Sequence, residues 1–305
     1  MAEPFHSGEI AVQARAGERG AAVRNGRIIS HEIPAPARPF VGQQSQLAIG
    51  WLDRNGQPWA SFVVGERGFA ATDAYGSVLT IQLPRGSASF PRADVHPGDK
   101  VGLLFIELSS RRRLRVNGAV QDASAQVLRV LVEQAFPNCP KYIQRRERSD
   151  PAPPATASVS ASGVGVPPNL DEWLSRTDTA FVASVGPGGN LDCSHRGGRR
   201  GFMRFDGSAV IVPDYPGNSM FCTLGNMEVV PRAGLTLVDF EARRQLLLSG
   251  DTRLHVDATQ SIDPHGGGSA RFWTLTPRAW AVLALPDSAG WRLVDESPFN
   301  PPIAP

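Results

Sequence analysis

The sequence has few cysteines, no long apolar run and almost no excess of charge. Its 305 residues include 3 cysteines, and a small, odd and widely spaced set argues against a disulfide scaffold and for a reducing compartment. No apolar run approaches the roughly eighteen residues that a membrane helix needs, and the N-terminus lacks the pattern of a signal peptide. The 31 basic and 29 acidic residues give no electrostatic reason to expect nucleic acid or a membrane as a partner. We therefore expect a cytoplasmic protein, and the absence of paired metal-ligand motifs argues against zinc.

The composition instead supports a globular protein with an internal linker. Hydrophobic residues make up 41% of the chain, which is enough for a sizeable core. Residues 149–168, by contrast, are almost wholly Pro, Ala, Ser, Gly and Val, and this composition predicts an interdomain linker. The chain then divides into an N-terminal extension at 1–40, a first domain at 41–148 and a second domain at 169–305.

The two domains repeat each other. Four pairs of landmark residues keep an offset of 132 or 133: Ser61 and Ser194, Gly68 and Gly201, Gly102 and Gly234, Gly118 and Gly250. A constant offset over four landmarks predicts a tandem duplication.

Each unit is rich in strand signals. Strands are predicted at 47–52, 58–64, 78–83, 101–108 and 113–120, with counterparts at 180–185, 191–195, 208–213, 233–240 and 245–254. Short strands with dense turn signals predict a mainly β protein with minor helix, built from two small antiparallel barrels. A helix is expected to begin at Asn169, and 127–134 is expected to be a strand that runs into a short helix.

The densest chemistry lies in the second unit, at 192–202. There a strand ends in hydroxyl, imidazole and guanidinium groups and continues into two glycines with accessible N–H groups; these residues are Ser194, His195, Arg196, Gly197 and Gly198. Such groups suit a phosphate, because arginine forms charged hydrogen-bond pairs and glycine lets backbone donors approach. One alternative is a solvated hairpin end with turn glycines and ordinary surface arginines. Another is that His195 is a hydrogen-bonded structural residue. The arginine turns at 111–113 and 243–244 are expected to be solvated loop tips.

The motifs together resemble the pyridoxamine 5′-phosphate oxidase-related, FMN-binding split-barrel family. In the second unit the resemblance is carried by 192–202, by Val-Pro-Asp-Tyr-Pro-Gly-Asn at 212–218 and by Thr-Leu-Gly-Asn at 223–226. In the first unit it is carried by a Cys-Pro-Lys-Tyr segment at 139–142. The resemblance implies two tandem antiparallel flavin-binding split barrels that pair as a pseudo-dimer.

The resemblance also implies a flavin site at the interface of the two barrels. The residues expected to bind the cofactor are Ser194, His195, Arg196, Gly197, Gly198, Asp214, Tyr215 and Asn218 from the second unit, with Lys141, Gln144 and Arg146 from the first. The first unit has the apolar sequence 61–65 in place of the Ser-His-Arg segment, so we expect one site per chain. Ser219 and Met220 stand where related sequences have arginines, so Arg199, Arg200, Lys141 or Arg146 is expected to supply the missing charge.

The expected function is an FMN-dependent oxidoreductase that takes a small-molecule substrate and an electron donor or acceptor. The sequence leaves open FAD or a deazaflavin as the cofactor, and it leaves open association into homodimers. Two alternatives come from other classes: a haem-binding or haem-degrading protein with His195 or His255 as the ligand, and a flavin-binding module without turnover.

Overall fold

The N-terminal extension is helical. In the computed structural model, which describes residues 3–83, 95–124, 126–149, 159–256, 271–285 and 290–301, the chain starts with three helices. They are α1 (Ser7–Arg15), α2 (Arg19–Gly26) and α3 (Arg38–Gly42), with a short 3-10 turn at Ala35–Ala37. Helix α1 is capped by His6, whose ring accepts from the N–H of Gly8 while Glu9 accepts from the N–H of His6. Of the described helices, none combines the length and apolar character needed to span a bilayer.

The first sheet has seven antiparallel strands in the order β2-β1-β5-β6-β7-β4-β3. They are β1 (Gln46–Leu52), β2 (Pro58–Val64), β3 (Ala70–Thr72), β4 (Val78–Gln82), β5 (Lys100–Glu107), β6 (Arg112–Ala123) and β7 (Val127–Pro137). The β1–β2 hairpin turns at Asp53, whose carboxylate accepts from the N–H groups of Asn55 and Gln57, and Gly56 supplies the positive φ of 70° that the turn requires.

The second sheet repeats that order as β11-β10-β14-β15-β16-β13-β12, with one additional strand, β9, paired to β16. Its elements are β9 (Val159–Val164), α4 (Leu170–Arg176), β10 (Thr179–Val185), β11 (Leu191–Gly197), β12 (Arg204–Phe205), β13 (Val210–Pro213), α5 (Cys222–Val229), β14 (Arg232–Asp239), β15 (Arg244–His255) and β16 (Phe272–Ala284). A separate two-stranded sheet joins β8 (Arg145–Ser149) to β17 (Gly290–Asp295). The mainly β class predicted from the sequence is therefore confirmed.

Three local expectations differ from the structure. The segment expected to be a linker contains strand β9, which pairs along β16 from Val164 to Val159, while residues 150–158 lie outside the described part. The helix expected near the end of 127–134 is absent, because β7 stays extended to Pro137 and pairs with β6. Helix α4 follows Asn169 as expected, but the Asn169 side chain makes no capping hydrogen bond.

The two sheets come into close backbone contact at two repeat-related glycines. A Cβ on Gly102 would lie 2.6 Å from the backbone between Asp192 and Cys193, and one on Gly234 would lie 2.6 Å from the backbone of Trp59. Glycine is required at both positions because the backbones of opposite sheets touch there. The apolar cluster between the sheets includes Phe62 and Phe181, whose rings stack at 5.3 Å.

Candidate functional site

A small polar cavity of about 90 Å³ lies where β6 of the first sheet meets β11 of the second. The loop 214–221 and the start of α5 close it. It brings together six residues that the sequence analysis selected: Ser194, His195, Arg196, Asp214, Tyr215 and Asn218. It also contains residues that the analysis did not select, among them Arg113, Arg115, Cys222, Thr223 and Arg271. We call this space the arginine cavity.

Four guanidinium groups share the arginine cavity, and most of them have a carboxylate partner. Arg115 lies 3.2 Å from Asp192, Arg196 lies 3.7 Å from Asp214, and Arg271 lies 3.3 Å from Asp214. A further carboxylate from the N-terminal extension, that of Glu18, lies 2.8 Å from Arg271. These contacts leave a surplus of positive charge in a largely buried space.

Arg113 carries that surplus. Its Nε donates to the carbonyl oxygen of Cys139 at 2.7 Å, and within the described chain it has no carboxylate within ion-pair distance. Burial lowers the pKa of Arg113 to about 10, and the charges of Arg115 and Arg196 add to that effect. Burial likewise lowers the pKa of Arg196, against the opposing influence of Asp214. An anion in the cavity would therefore relieve an unfavourable arrangement of charge.

The second notable group in the arginine cavity is the imidazole of His195, which lacks a hydrogen bond in the described chain. It is 4% exposed, and neither ring nitrogen finds a hydrogen bond among the described residues. Its pKa lies well below 6.5, because burial and the charges of Arg113, Arg196 and Arg146 disfavour the imidazolium. A neutral imidazole offers one donor and one acceptor, and buried polar atoms are rarely left unpaired. His195 therefore does not lie at a solvated hairpin end, and within the described residues no hydrogen bond assigns its ring a structural role.

The two arginine turns are solvated only in part: Arg112 and Arg243 are exposed, whereas the other arginines are half-buried. Arg111 donates to the carbonyl oxygen of Ile143 at 2.8 Å and pairs with Asp295, and Arg113 reaches the cavity. In the repeat-related turn, the guanidinium of Arg244 lies 4.4 Å from the ring of Trp173.

A sequence signal for the missed arginines does exist in β6. Arg113, Arg115 and Asn117 alternate with apolar residues along the strand, so all three lie on one face. The counterpart strand carries Leu247 at the position of Arg115. Arg271, by contrast, directly precedes β16 and belongs to no motif, so only the fold could place it.

The residues expected to reach across from the first unit lie beside the cavity. Gln144 donates to the carbonyl oxygen of Gly198 at 2.9 Å, and Arg146 forms a buried ion pair with Asp178 at 2.5 Å. Lys141 places its ammonium 5.3 Å from the ring of Phe299. These contacts hold the 139–146 segment against the second unit.

Two further residues expected to bind the cofactor, Gly197 and Tyr215, contact Tyr142 of the first unit. Gly197 packs so tightly that a Cβ would lie 2.0 Å from the carbonyl oxygen of Tyr142. The rings of Tyr142 and Tyr215 lie 5.1 Å apart, and the hydroxyl of Tyr142 donates to the carbonyl oxygen of Pro216 at 3.0 Å. The tyrosines therefore join the 139–146 segment to the loop that closes the cavity.

The place that corresponds to the arginine cavity by the internal repeat is filled by side chains. Gln245 stands at the position of Arg113, and its amide accepts from the N–H of Phe62 at 2.8 Å and donates to the carbonyl oxygen of the same residue at 3.0 Å. Phe62 stands at the position of His195 and packs among the rings of Phe181, Phe240 and Trp291. Aromatic packing thus replaces the polar groups at this position.

The N-terminal extension holds the loop that closes the arginine cavity. Gln13 donates to the carbonyl oxygen of Met220 at 2.9 Å, and Asn25 donates to that of Asn218 at 2.7 Å. The hydroxyl of Ser219 lies 2.6 Å from the Glu18 carboxylate. Helices α1 and α2 therefore fix the position of the loop 214–221.

Comparison with known proteins gives distant structural similarity only. No family model matches the sequence, and no curated protein matches it significantly. Similar solved structures include an F420 reductase (16% identity, TM-score 0.30, covering 38% of this chain and 98% of its own). They also include HutZ, a heme storage protein from Vibrio cholerae (16% identity, TM-score 0.27, covering 36% of this chain and 88% of its own). A third is HupZ from Group A Streptococcus (16% identity, TM-score 0.29, covering 41% of this chain and 98% of its own). At these TM-scores the likenesses say nothing about ligand or activity, which rest on the residues of the cavity.

Proposed function

We propose that this protein binds FMN with the phosphate in the arginine cavity and acts as a flavin-dependent oxidoreductase. The observation that carries the proposal is the combination of a guanidinium without a carboxylate and an imidazole without a hydrogen bond in that cavity. Arg113 has no carboxylate partner in the described chain, and both ring nitrogens of His195 are buried without a hydrogen bond. A phosphate supplies what both lack, because it brings negative charge and accepts several hydrogen bonds.

The cavity is large enough for the phosphate end of FMN but not for the whole cofactor. A space of about 90 Å³ has room for a phosphate group and is well below the roughly 300–1,000 Å³ of pockets that enclose a whole ligand. Arg113, Arg196, His195 and the hydroxyl of Ser194 would hold the phosphate. The flavin ring would then extend out of the cavity, and Tyr215 and Asn218 line its wall.

The protein's own part in the reaction is binding, orientation and exclusion of water. When bound, a flavin supplies hydride or electron transfer, and an electron donor and a small-molecule substrate would meet it in turn. The neutral His195 can donate one hydrogen bond to an anion without adding a further charge to the four guanidiniums. The loop 214–221, held by Glu18 and Asn25, keeps the phosphate end away from bulk water.

One site per chain is part of the proposal. The arginine cavity takes residues from both sheets, as the interface of two paired barrels would, and the repeat-related position is packed with Phe62 and its aromatic neighbours. We therefore interpret the chain as a duplicated unit that forms a pseudo-dimer, with domains at 41–148 and 169–305 and a single surviving site.

The haem alternative fits the same cavity less well. The neutral His195 has a free ring nitrogen, but a macrocycle coordinated there would have to lie within a space of about 90 Å³ lined by guanidiniums. The other candidate, His255, stacks on Phe272 at 4.3 Å and lines a separate cavity on β15 and β16.

The proposal is tested by titrating the purified protein with FMN and following the visible spectrum and flavin fluorescence. We expect saturable binding of FMN, and much weaker binding of riboflavin, which lacks the phosphate. Arg196→Leu should weaken FMN binding at least about tenfold, because hydrogen bonds to charged groups contribute roughly 1.5–3 kcal/mol. The matched control is Arg200→Leu, since Arg200 follows closely in sequence but pairs with Glu241 on the surface.

A reductase assay separates the enzyme from a binding module. Bleaching of the bound flavin by a reduced nicotinamide, followed by reoxidation with an acceptor, would support turnover. FMN and riboflavin binding equally well, or Arg196→Leu and Arg200→Leu behaving alike, would overturn the phosphate assignment.

A further inference from the structure

A second cavity, of about 460 Å³, lies on the other side of the Arg115–Asp192 ion pair. Arg115 lines the arginine cavity, whereas Asp192 lines this one, so the ion pair forms part of the wall between them. The N-terminal extension contributes Glu9, and β7 contributes Glu133. We call this space the acidic cavity, defined by its four acidic residues, Glu3, Glu9, Glu133 and Asp192.

Three of its four carboxylates are neutralised by neighbours, and the first of these, Glu3, pairs with Arg19. Glu133 pairs with Lys100, and Asp192 pairs with Arg115 while accepting hydrogen bonds from the side-chain amides of Asn117 and Asn226. Their charges are therefore already satisfied within the protein.

Glu9 is the remaining carboxylate, and it has no arginine or lysine partner in the described chain. It is 6% exposed and accepts from the N–H of His6 at 2.9 Å, with the His6 ring at 3.5 Å and the Cys222 thiol beside it. Burial, followed by repulsion from Asp192, raises the pKa of Glu9, and His6 opposes that shift. A cation in the cavity would favour the ionised carboxylate.

An unsatisfied amide oxygen points to the same kind of ligand. Asn117 is 8% exposed, and its nitrogen donates to Asp192 at 2.6 Å and to Gln134 at 3.3 Å. Because the Asp192 carboxylate only accepts, the nitrogen of Asn117 must face it, and this fixes the orientation of the amide. The oxygen of Asn117 then has no donor among the described residues.

We propose that the acidic cavity binds a small molecule through a protonated amine held by Glu9 and the side-chain oxygen of Asn117. An ammonium group carries only hydrogen-bond donors, whereas the ionised Glu9 carboxylate and the side-chain oxygen of Asn117 only accept. The Asn117 oxygen has no donor among the described residues. Pro4, Phe5 and Leu191 line the same space and would contact the hydrocarbon part of the ligand. The cavity volume is in the range of sites that enclose small ligands. This proposal does not rest on the flavin function, because the two cavities share no lining residue.

The test is isothermal titration calorimetry with phenethylamine, in buffer containing EDTA, with 2-phenylethanol as the neutral analogue. We expect saturable binding of phenethylamine, at least about tenfold tighter than that of the alcohol. Glu9→Gln should weaken the amine at least tenfold while preserving the capping interaction with His6, because glutamine also serves in a capping box. Glu228→Gln is the matched control, since Glu228 pairs with Arg15 outside the cavity and its loss should leave the affinity within twofold.

A second readout keeps the proposal open to refutation if Glu9→Gln folds poorly. Wild-type affinity for phenethylamine should rise with pH as Glu9 loses its proton, and Asn117→Leu should weaken the amine while leaving FMN binding in place. Equal affinity for amine and alcohol, no saturable binding of either, or unchanged affinity in both Glu9→Gln and Asn117→Leu would overturn it. Binding of FMN is measured in parallel, so failure of the flavin proposal is distinguishable from failure of this one.

Discussion

Replacement of Arg113 by glutamine is the most informative perturbation of the arginine cavity. Gln245 occupies the repeat-related position, so Arg113→Gln makes the two positions alike. The substitution removes the guanidinium that lacks a carboxylate partner and leaves the pairs of Arg115, Arg196 and Arg271 in place.

Two effects on the ligand-free protein oppose each other. The variant loses the 2.7 Å hydrogen bond from Arg113 to the carbonyl oxygen of Cys139, which contributes roughly 1.5–3 kcal/mol as a charged hydrogen bond. It also loses a charged group whose pKa is lowered from 12.5 to about 10 by burial and by neighbouring arginines. That shift corresponds to roughly 3 kcal/mol, which partial exposure of the side chain reduces to about 1–2 kcal/mol. The free energy of unfolding without ligand should therefore change by no more than about 2 kcal/mol.

The effect on ligand binding has no such compensation. Loss of one charged hydrogen bond should weaken FMN about tenfold to a hundredfold. At a concentration one hundred times the wild-type Kd, FMN stabilises the wild type by about 2.7 kcal/mol, and a thirtyfold weaker variant by about 0.9 kcal/mol. For a chain of this length each kcal/mol corresponds to about 2 °C, so the ligand-induced rise in Tm should fall from about 5 °C to below 2 °C.

The assay is a thermal melt followed by circular dichroism, with and without FMN, on the wild type, Arg113→Gln and the surface control Arg200→Gln. A full FMN-induced rise in Tm in Arg113→Gln would refute the assignment of the cavity to the phosphate. A large loss of stability without ligand would instead show that Arg113 serves the fold.

Three further predictions concern the fold around the site. Asp178→Asn should cost about 3–5 kcal/mol in urea unfolding, because it leaves the buried guanidinium of Arg146 without its ion pair, and a loss below about 1 kcal/mol would contradict this. Gly102→Ala should cost about 1–3 kcal/mol, since the new Cβ would lie 2.6 Å from backbone of the other sheet, whereas Gly217→Ala, whose nearest atom is 3.9 Å away, should be nearly neutral. His195 has a pKa below its unfolded value, so the wild type should lose up to about 1.4 kcal/mol per pH unit as pH falls below about 6.5, where only the unfolded chain binds the proton. His195→Gln should lack that loss in pH-dependent unfolding, and an identical pH profile would contradict the burial of a neutral His195.

The strands could be predicted because their signals are local. Hairpins with glycine and asparagine turns predicted β1–β2 and β10–β11 within one or two residues of their observed bounds. Strand β9 could not be found in the same way, because its Val-Ser-Ala-Ser-Gly-Val sequence has no large side chain. It is ordered by backbone pairing with β16, a partner more than a hundred residues away.

The candidate site could be predicted only in part, for a related reason. Ser194, His195 and Arg196 are consecutive on β11, so one motif revealed all three. Arg113 comes from the facing strand of the other sheet, and its role depends on how the sheets pack. Arg146 is charged and lies close to the Cys-Pro-Lys-Tyr segment at 139–142, yet it pairs with Asp178 outside the cavity. The sequence alone does not reveal that pairing.

The central claim is a single phosphate-binding flavin site per chain, and a spectral titration of the purified protein with FMN tests it most directly. The account predicts flavin absorption bands that shift on binding and saturate at one equivalent of FMN per chain. Saturation at two equivalents would contradict the filled position around Phe62. No binding of FMN would contradict the assignment of the arginine cavity itself.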